Sequence, residues 1–289
     1  MKLSNKEIDN IIELALSEDI SRGDVTTRAL IPPQQLGKAY IFSKSEGILA
    51  GMEIAKRVFL KLDPSLEVQA LKSDGEKIKP GDKVATIFGS VAAILKGERT
   101  ALNFLQHLSG IASETANYIA KTEGLSVKIT DTRKTVPGLR LLQKYAVGVG
   151  GGQNHRFHLG DGILIKDNHL AALRVLDMSL KEVVAKAKEK APKGLEVEVE
   201  VGTTEEALEA AAAGADIIML DNMSPDEMRQ VVSLLPSHVK TEASGGITLD
   251  SVRTVAEAGV SRISIGAITH SAKALDLNLE LEPQTLRLL

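Results

Sequence analysis

Two similar stretches, GADIIMLD at residues 214–221 and GVSRISIGA at residues 259–267, decide the fold class of this chain. In each, an Ala-rich helical segment ends in Gly, and a short apolar strand follows directly. This order is typical of the repeating strand and helix units of α/β barrels. Since the carboxyl ends of parallel barrel strands lie at one edge, the two stretches also predict where a functional site lies.

The same alternation extends over the second half of the chain. Four further apolar stretches are LSVKIT from residue 125, GILIKD from residue 162, LEVEVEV from residue 195 and VKTEAS from residue 239. The clearest helical patterns span residues 179–190, 204–213, 224–234 and 248–258. Six strands alternating with helices predict βα units and a parallel sheet, which is either open and doubly wound or a barrel. The two repeat-like stretches favour the barrel.

The first half of the chain has a different pattern. An amphipathic helix is predicted over residues 5–17, with a capping box formed by Ser4 and Glu7, and a polar loop follows over residues 18–27. Short β-type runs broken by Gly and Pro come next, and a long helix is predicted over residues 92–121. The β-type runs, over residues 38–89, therefore predict a mixed α+β segment.

Composition excludes several classes of protein. The 289 residues are 43% hydrophobic and 25% charged, which excludes a largely disordered chain. Because the chain has no Cys, disulfides, thiolate zinc sites and thiol nucleophiles are excluded. A net charge of −3 and an aromatic content of 3% argue against nucleic-acid and membrane partners. No apolar run is long enough for a membrane span, so we expect a cytoplasmic protein that binds small molecules.

Polar side chains stand at the carboxyl end of each predicted barrel strand. They are Asp131, Arg133, Lys134, Lys166, Asp167, Glu198, Glu200, Asp221, Asn222, Glu242 and Ser244. Any one of them could be a solvated loop residue, but their recurrence on successive strands favours an active-site edge. Glu196, Glu198 and Glu200 alternate with Val and point to one face, where a buried carboxylate needs a cation. Arg133, Lys134 and Lys166 are available cations.

Positive charge and glycine are concentrated in residues 131–166. This segment has six Lys or Arg residues against two Asp residues, a local net charge of +4, and seven of the 24 glycines. Gly148 and residues 150–152 are predicted to let backbone N–H groups approach an anion. The spacing matches neither a Walker loop nor a dinucleotide-binding motif. The segment therefore predicts a site for a small polyanion.

Two later loops and two histidines are further candidates. Ser244, Gly245 and Gly246 follow the fifth strand, and Gly266 and Ala267 follow the sixth; each loop is expected to open onto a helix whose N–H groups bind a phosphate monoester. His155 and His158 lack a carboxylate at metal-ligand spacing, so anion contact or loop packing is favoured over zinc.

The segment DTRKTVPGLRLLQKYAVGVGGGQNHRFHLGDGILIKDNH, residues 131–169, resembles the signature of the quinolinate phosphoribosyltransferase (decarboxylating) family. The similarity continues through EDISRGDVTT, GERTALNFLQHLSGIAS, EVEVG, IIMLDNM, EASGGI and ISIGAITHSA. It implies an α/β fold with an N-terminal α/β sandwich domain over residues 1–112, which residues 272–289 rejoin. It also implies an incomplete, open α/β barrel of about six to seven parallel strands over residues 113–271.

The resemblance implies a pentosyltransferase of NAD biosynthesis, with Mg²⁺ as cofactor. Such an enzyme transfers the phosphoribosyl group of PRPP to quinolinate, and releases pyrophosphate and CO2 to give nicotinate mononucleotide. The implied catalytic residues are Lys134, Lys166, Glu200 and Asp221, the last two also holding Mg²⁺ indirectly. The implied substrate-binding residues are these four together with Thr132, Arg133, His155, Arg156, Ser244, Gly245, Gly246, Ile265, Gly266 and Ala267.

The resemblance also implies that Arg99 enters the site of a neighbouring subunit, in a homodimer or larger homo-oligomer. Three alternatives stay open at this point. One is the molybdenum-transport-associated paralogue of the same fold, against which Lys134, His155 and Arg156 together argue. The second is a barrel aldolase that forms a Schiff base on Lys166. The third is a regulatory module that binds a metabolite without catalysis, which needs no Glu200 and Asp221 beside its anion site.

Overall fold

The computed structural model describes residues 5–288, with every side chain in that range except that of residue 174. The chain forms two compact units. The first runs to Ala116 and also takes Thr135–Gly151 and the chain from Ile268 onward. The second consists of Asn117–Lys134 and Gly152–Ala267.

The helices, in chain order, are α1 (Asn5–Ile20), α2 (Val25–Leu30), α3 (Met52–Leu62), α4 (Val91–Lys121), α5 (Arg140–Val149), α6 (Asp167–Leu173), α7 (Leu180–Lys190), α8 (Thr204–Ala212), α9 (Pro225–Leu234), α10 (Val252–Glu257) and α11 (Ala267–His270). Two short 3₁₀ helices span Arg174–Leu176 and Pro283–Thr285. Within the described range, no helix is both long enough and apolar enough to cross a membrane.

The strands, in chain order, are β1 (Gln35–Ser43), β2 (Gly47–Ile48), β3 (Glu67–Ala70), β4 (Lys77–Ile78), β5 (Lys83–Ser90), β6 (Lys128–Thr130), β7 (Ile163–Ile165), β8 (Val197–Val201), β9 (Ile217–Asp221), β10 (Lys240–Ser244), β11 (Arg262–Ser264), β12 (Leu277–Leu281) and β13 (Arg287–Leu288). They form an antiparallel sheet in the first unit, a parallel sheet in the second, and a small pair of β2 with β4.

The first unit is an α/β sandwich. Its antiparallel sheet has the order β12-β1-β5-β3, and β13 pairs with one end of β1. Alternate residues of β1 are buried, because a strand with one covered face buries every second side chain. Since β12 pairs with β1 from Ala39↔Leu281 to Ser43↔Leu277, the C-terminal segment belongs to this sheet.

The second unit is the incomplete barrel that the repeats predict. Its six strands have the order β6-β11-β10-β9-β8-β7, and every pairing is parallel. From β7 to β11, strands adjacent in the sheet are consecutive in the chain, without the reversal that a doubly wound sheet requires. The open-barrel prediction is confirmed and the doubly wound alternative is wrong. Gln153 extends the far side of β6, where its N–H donates to Ile129 O at 2.9 Å.

Capping residues explain why most of the predicted barrel helices have the expected bounds. Ser179 and Ser224 form capping boxes with Glu182 and Glu227 at the starts of α7 and α9. Thr203 caps α8 by accepting from the Glu206 N–H at 3.2 Å. These three helices match their predictions closely. Helix α10 is shorter than predicted, since it begins only at Val252.

Near the amino end, the predicted helix and polar loop differ from the structure. Helix α1 continues to Ile20, and the predicted capping residue Ser4 lies outside the described residues. A further helix, α2, interrupts the predicted loop because Asp24 caps it by accepting from the Thr27 N–H at 2.9 Å.

The segment Thr135–Gly151, which the predicted boundary assigns to the barrel, lies in the first unit. Tyr145 on α5 donates its hydroxyl hydrogen to Asp74 Oδ2 at 2.6 Å. A Cβ atom at Gly150 would lie 2.3 Å from the carbonyl oxygen of Ala112, so glycine allows the end of α5 to approach α4 closely. Gly148 lies within α5. Gly148 is therefore part of a helix and Gly150 allows that helix to pack on α4, so neither lies in the glycine-rich loop that the sequence predicts.

Candidate active site

Charged side chains face the barrel interior because strand register brings them into one row. Glu200 on β8 pairs with Met219 on β9, which pairs with Glu242 on β10, and Glu242 pairs with Arg262 on β11. Successive residues of a strand point to opposite faces, so Glu198 shares the face of Glu200. The interior therefore contains carboxylates that need positive partners.

The deepest of these side chains form one ionic cluster. Arg262 Nη2 donates to Glu198 Oε1 at 2.8 Å, and its Nε lies against Glu242 Oε2. His155 Nε2 lies 3.3 Å from Glu198 Oε2 and 3.5 Å from Glu242 Oε1. Glu242 is fully buried and the Glu198 side chain is 5% exposed. Two buried carboxylates thus share one guanidinium and one imidazole.

The cluster shifts the pKa of His155. Burial alone would lower this pKa, but hydrogen bonds and charge attraction from Glu198 and Glu242 outweigh burial and raise it to about 9. Burial would likewise raise the pKa of Glu242, but the hydrogen bond from His155 and the charge of Arg262 lower it. Nδ1 of His155 accepts the Arg156 N–H at 2.8 Å, so the ring hydrogen that faces the two carboxylates is on Nε2.

This coupling predicts a pH-dependent stability. Folding raises the pKa of His155 from 6.5 to about 9, so this shift contributes to the free energy of unfolding. The contribution is complete below pH 6.5 and is lost as the pH rises through about 9. His155→Gln should flatten this decline, which urea unfolding measured across that interval would show. His238→Gln is a matched control on the loop before β10. An equal decline in wild type and His155→Gln would contradict the coupling.

Asp131 positions the loop that carries His155 and Arg156. This fully buried carboxylate follows β6 and accepts the His155 N–H at 2.8 Å through Oδ1. Its Oδ2 accepts from Asn154 Nδ2 at 2.7 Å. The loop is thereby held against the carboxyl end of β6.

A cavity of about 270 Å³ opens at the carboxyl edge of the sheet. Seven predicted site residues line it: Thr132, Arg133, Lys134, His155, Arg156, Lys166 and Ser244. Glu242, which was expected at this edge without an assigned role, also lines it, together with Leu164, Met219 and Ser264. The lining includes four Lys or Arg side chains besides His155. The cavity is therefore suited to a small anion of several charges.

Arg156 contributes a donor that the protein leaves open. Its Nη1 donates to Gly162 O at 3.0 Å, but its buried Nε has no hydrogen-bond partner among the described residues. Burial lowers the pKa of Arg156, and the nearby Arg133 charge adds to that effect. A buried guanidinium donor without a partner is costly, and an anionic ligand would supply the missing acceptor.

Lys166 and Glu200 form an ion pair at the rim. Lys166 Nζ lies 2.6 Å from Glu200 Oε2, and the Glu200 side chain is 13% exposed. Asp221 lies on the next strand, where its Oδ2 accepts from Asn222 Nδ2 at 2.7 Å. Ser244 pairs with Asp221 in the sheet register. Adjacent strand ends therefore present a carboxylate–lysine pair, a second carboxylate and a hydroxyl.

The turn after β10 requires glycine. Gly245 has φ of +96°, and a Cβ atom there would lie 2.2 Å from Asn222 Oδ1. The Asn222 N–H donates to Ser244 O at 3.0 Å, which binds the two strand ends together. The helix predicted from residue 248 begins only at Val252, so the loop at Gly246 does not open directly onto α10. The loop at Gly266 does open onto a helix, α11, which is a single turn. Backbone N–H groups of the loops themselves remain the available phosphate donors.

Other predicted residues lie beside this edge or in the first unit. Ile265 is buried, and its N–H donates to Thr130 O at 2.9 Å, so it orders the chain that continues to Gly266 and Ala267. Arg99 lies on α4 in the first unit and is exposed.

The described residues contain one group with metal-ligand geometry: His155, Glu198 and Glu242 offer atoms within 4.8 Å of one another. Sequence spacing could not reveal this group, since both carboxylates come from distant strands. Arg262 already contacts both carboxylates, so a protein side chain supplies the positive charge that they need. Zinc is disfavoured here on this ground.

Comparison with known proteins agrees with this geometry. Residues 24–109 match the family model "Quinolinate phosphoribosyl transferase, N-terminal domain", and residues 111–280 match the corresponding C-terminal domain. A probable nicotinate-nucleotide pyrophosphorylase [carboxylating] of Bacillus subtilis is 45% identical over 96% of this chain and 94% of its own length. The chloroplastic enzyme of Arabidopsis thaliana is 40% identical over 96% of this chain and 84% of its own.

Solved structures agree as well. NadC from Streptococcus pyogenes superposes with a TM-score of 0.92 at 43% identity, covering 100% of this chain and 99% of the other. The nicotinate-nucleotide pyrophosphorylase of Francisella tularensis has a TM-score of 0.90 at 39% identity, covering 97% and 98%. Both domains and nearly the whole length are matched, and the chain therefore belongs to the quinolinate phosphoribosyltransferase family.

Proposed function

We propose that this chain transfers the phosphoribosyl group of PRPP to the ring nitrogen of quinolinate, with loss of pyrophosphate and CO2, to form nicotinate mononucleotide in NAD biosynthesis. The observation that carries the proposal is the cavity lined by Arg133, Lys134, Arg156, Lys166 and His155. Few small molecules other than polyanions suit such a lining.

Quinolinate has two adjacent carboxylates on a small planar ring. Arg133 and Arg156 supply planar donors, and Lys134 supplies a point charge, which together match a dicarboxylate. Leu164 and Met219 supply apolar lining for the ring. The chain can therefore hold quinolinate by charge, without an aromatic stacking partner.

PRPP would occupy the other half of the edge. Ser244 with the backbone of Gly245 and Gly246, and the chain over residues 265–267, are assigned to its 5′-phosphate. Lys166, oriented by Glu200 at 2.6 Å, is assigned to pyrophosphate or carboxylate oxygens. Glu200, not the deeply buried Glu198, is the acid that reaches the ribose, because Glu198 is occupied by Arg262 and His155.

The acidic pair also fits the Mg²⁺ that PRPP brings. Glu200 and Asp221 lie at the ends of adjacent strands, and Mg²⁺ keeps several waters and needs few protein carboxylates. These two residues would therefore hold it, through water. When bound, the metal neutralises charge on the departing pyrophosphate.

The chain's own residues account for both the phosphoribosyl transfer and the decarboxylation. As the bond between ribose and pyrophosphate breaks, positive charge develops on the sugar, and Glu200 and Asp221 stabilise it. The ring nitrogen then bonds to the ribose carbon and becomes positive. Loss of CO2 leaves an electron pair on the adjacent ring carbon, and the positive nitrogen stabilises this carbanion. A proton then adds to that carbon in place of the lost carboxylate. Decarboxylation therefore needs no separate base.

The proposal includes a homodimer or larger homo-oligomer, in which Arg99 enters the site of a neighbouring subunit. Arg99 is exposed on the long helix α4, so its guanidinium is accessible to a neighbouring subunit. A cytoplasmic location also belongs to it, because a chain without Cys fits a reducing compartment.

The Schiff-base alternative is disfavoured by a specific contact. A lysine nucleophile must be free to attack a carbonyl carbon, but Lys166 Nζ donates to Glu200 Oε2 at 2.6 Å. The curated relatives are named as nicotinate-nucleotide pyrophosphorylases, which argues against the transport-associated paralogue.

The test is release of CO2 from quinolinate labelled at its 2-carboxylate. We expect release to require both PRPP and Mg²⁺ and to stop when either is omitted. Borohydride added during turnover should leave the protein unmodified. A covalent adduct trapped on Lys166, or CO2 released without PRPP, would overturn the proposal.

A further inference from the structure

Gln143, on α5, is a fully buried amide whose hydrogen bonds reach three other segments of the first unit. Its Oε1 accepts the Val136 N–H at 2.9 Å. Its Nε2 donates to Thr269 O at 3.1 Å and lies 2.8 Å from His107 Nε2 on α4. The amide therefore connects the loop before α5, the helix α11 and the long helix α4.

The orientation of this amide is determined by two backbone groups. The Val136 N–H can only donate, so it requires the amide oxygen, and the Thr269 carbonyl can only accept, so it requires the amide nitrogen. The second hydrogen of Nε2 then points at His107. His107 must accept it through an unprotonated Nε2, which leaves the imidazole neutral with its hydrogen on Nδ1.

The segments that Gln143 holds adjoin the site in the chain. Val136 follows Lys134 by two residues, and Thr269 follows Ala267 by two residues. We infer that Gln143 is a positioning residue for the loops that carry Lys134 and Ala267, and that neutral His107 is the acceptor that completes its hydrogen bonds. This inference rests on the proposed function, which assigns those loops to quinolinate and to the 5′-phosphate.

The same geometry makes the positioning sensitive to acid. Burial lowers the pKa of His107, and a protonated ring would place a donor against a donor. Glu18 and Asp19 from α1 line the groove beside His107, and Asp19 accepts from Thr100 Oγ1 at 3.4 Å.

Two charged groups on the neighbouring helices have contacts other than His107, and Lys144, which follows Gln143 on α5, is fully buried. Arg140 on α5 donates to Thr135 Oγ1 at 3.0 Å, and His270 on α11 contacts Ser271 Oγ at 2.7 Å. Below its pKa, His107 should therefore release the amide of Gln143.

The experiment measures kcat and KM for quinolinate between about pH 5 and pH 8 in the full-length chain. Gln143→Leu should lower kcat/KM about tenfold, because the two loops lose their common support. His107→Gln offers a side-chain oxygen that accepts without titrating, so it should keep neutral-pH activity and flatten the acid limb.

Gln106→Leu is the matched control on α4. Its amide donates to Leu277 O at 2.8 Å, so the substitution removes a hydrogen bond in the same unit without touching the two loops. Its pH profile should match that of the wild type. Equal kcat/KM losses in Gln106→Leu and Gln143→Leu, or an unchanged acid limb in His107→Gln, would overturn the inference.

Amide hydrogen exchange separates this inference from the proposed function. Exchange at Val136 should quicken in Gln143→Leu whether or not the chain acts on quinolinate. Unchanged exchange at Val136 would refute the positioning role, whereas a wild-type chain that is inactive with quinolinate and PRPP would refute the proposed function.

Discussion

Lys134→Ala should lower kcat by about a hundredfold or more and leave the unfolding midpoint nearly unchanged. The side chain lines the cavity and is exposed, so its removal takes a positive charge from the substrates without opening the core. Lys134→Arg should recover part of the activity, since it restores the charge but not the shape. Steady-state assays with saturating PRPP and urea unfolding of the same preparations measure both quantities.

Lys193→Ala is the matched control. Lys193 is exposed in the second unit, on the loop between α7 and β8, and takes no part in the cavity. Its kcat should equal that of the wild type. Near-normal activity of Lys134→Ala, or a loss explained by unfolding, would contradict the role given to Lys134.

Arg262→Met should destabilise the chain by about 3–5 kcal/mol, because it leaves Glu198 and Glu242 buried around a single imidazole. The removed guanidinium contacts both carboxylates, and no water-exposed surface is available to Glu242, which is fully buried. Urea unfolding at neutral pH gives the free energy of unfolding. The defect should lessen at acid pH, where a carboxylate without its partner can take up a proton.

Arg229→Met provides the comparison for that loss. Arg229 pairs with Asp226 on the surface of α9, where the two side chains are 54% and 91% exposed. Exposed pairs contribute less than about 1 kcal/mol, so this variant should unfold almost as the wild type does. If the two Arg variants lost similar free energies of unfolding, Arg262 in the buried ionic cluster would contribute no more to stability than an exposed arginine does.

Strand periodicity predicted much of the barrel interior. The alternation of Glu with Val over residues 196–200 predicted inward carboxylates that need cations, and Glu198 and Glu200 have them. Glu196 lies before β8, is exposed, and pairs with Lys240. The identity of two partners was not predictable, because Lys240 and Arg262 lie 44 and 64 residues away from Glu196 and Glu198. Only the strand register brings such residues together. The alternation of Arg262 and Ser264 in β11 was the available signal for an inward arginine.

Glycine and histidine were harder to interpret from sequence. Gly148 and Gly150 stand in a cation-rich segment, but they belong to α5 and to its contact with α4. His155 had no carboxylate nearby in the chain, yet the fold places it against two. In both cases the contacts come from residues that are distant in sequence, and local pattern carries no information on them.

The most direct test of the account is a product balance. The full-length chain is incubated with quinolinate, PRPP and Mg²⁺, and the amounts of CO2, pyrophosphate and nicotinate mononucleotide are measured in one reaction. The account predicts equal amounts of all three products. Pyrophosphate formed without the nucleotide, or CO2 formed in excess of the nucleotide, would contradict it.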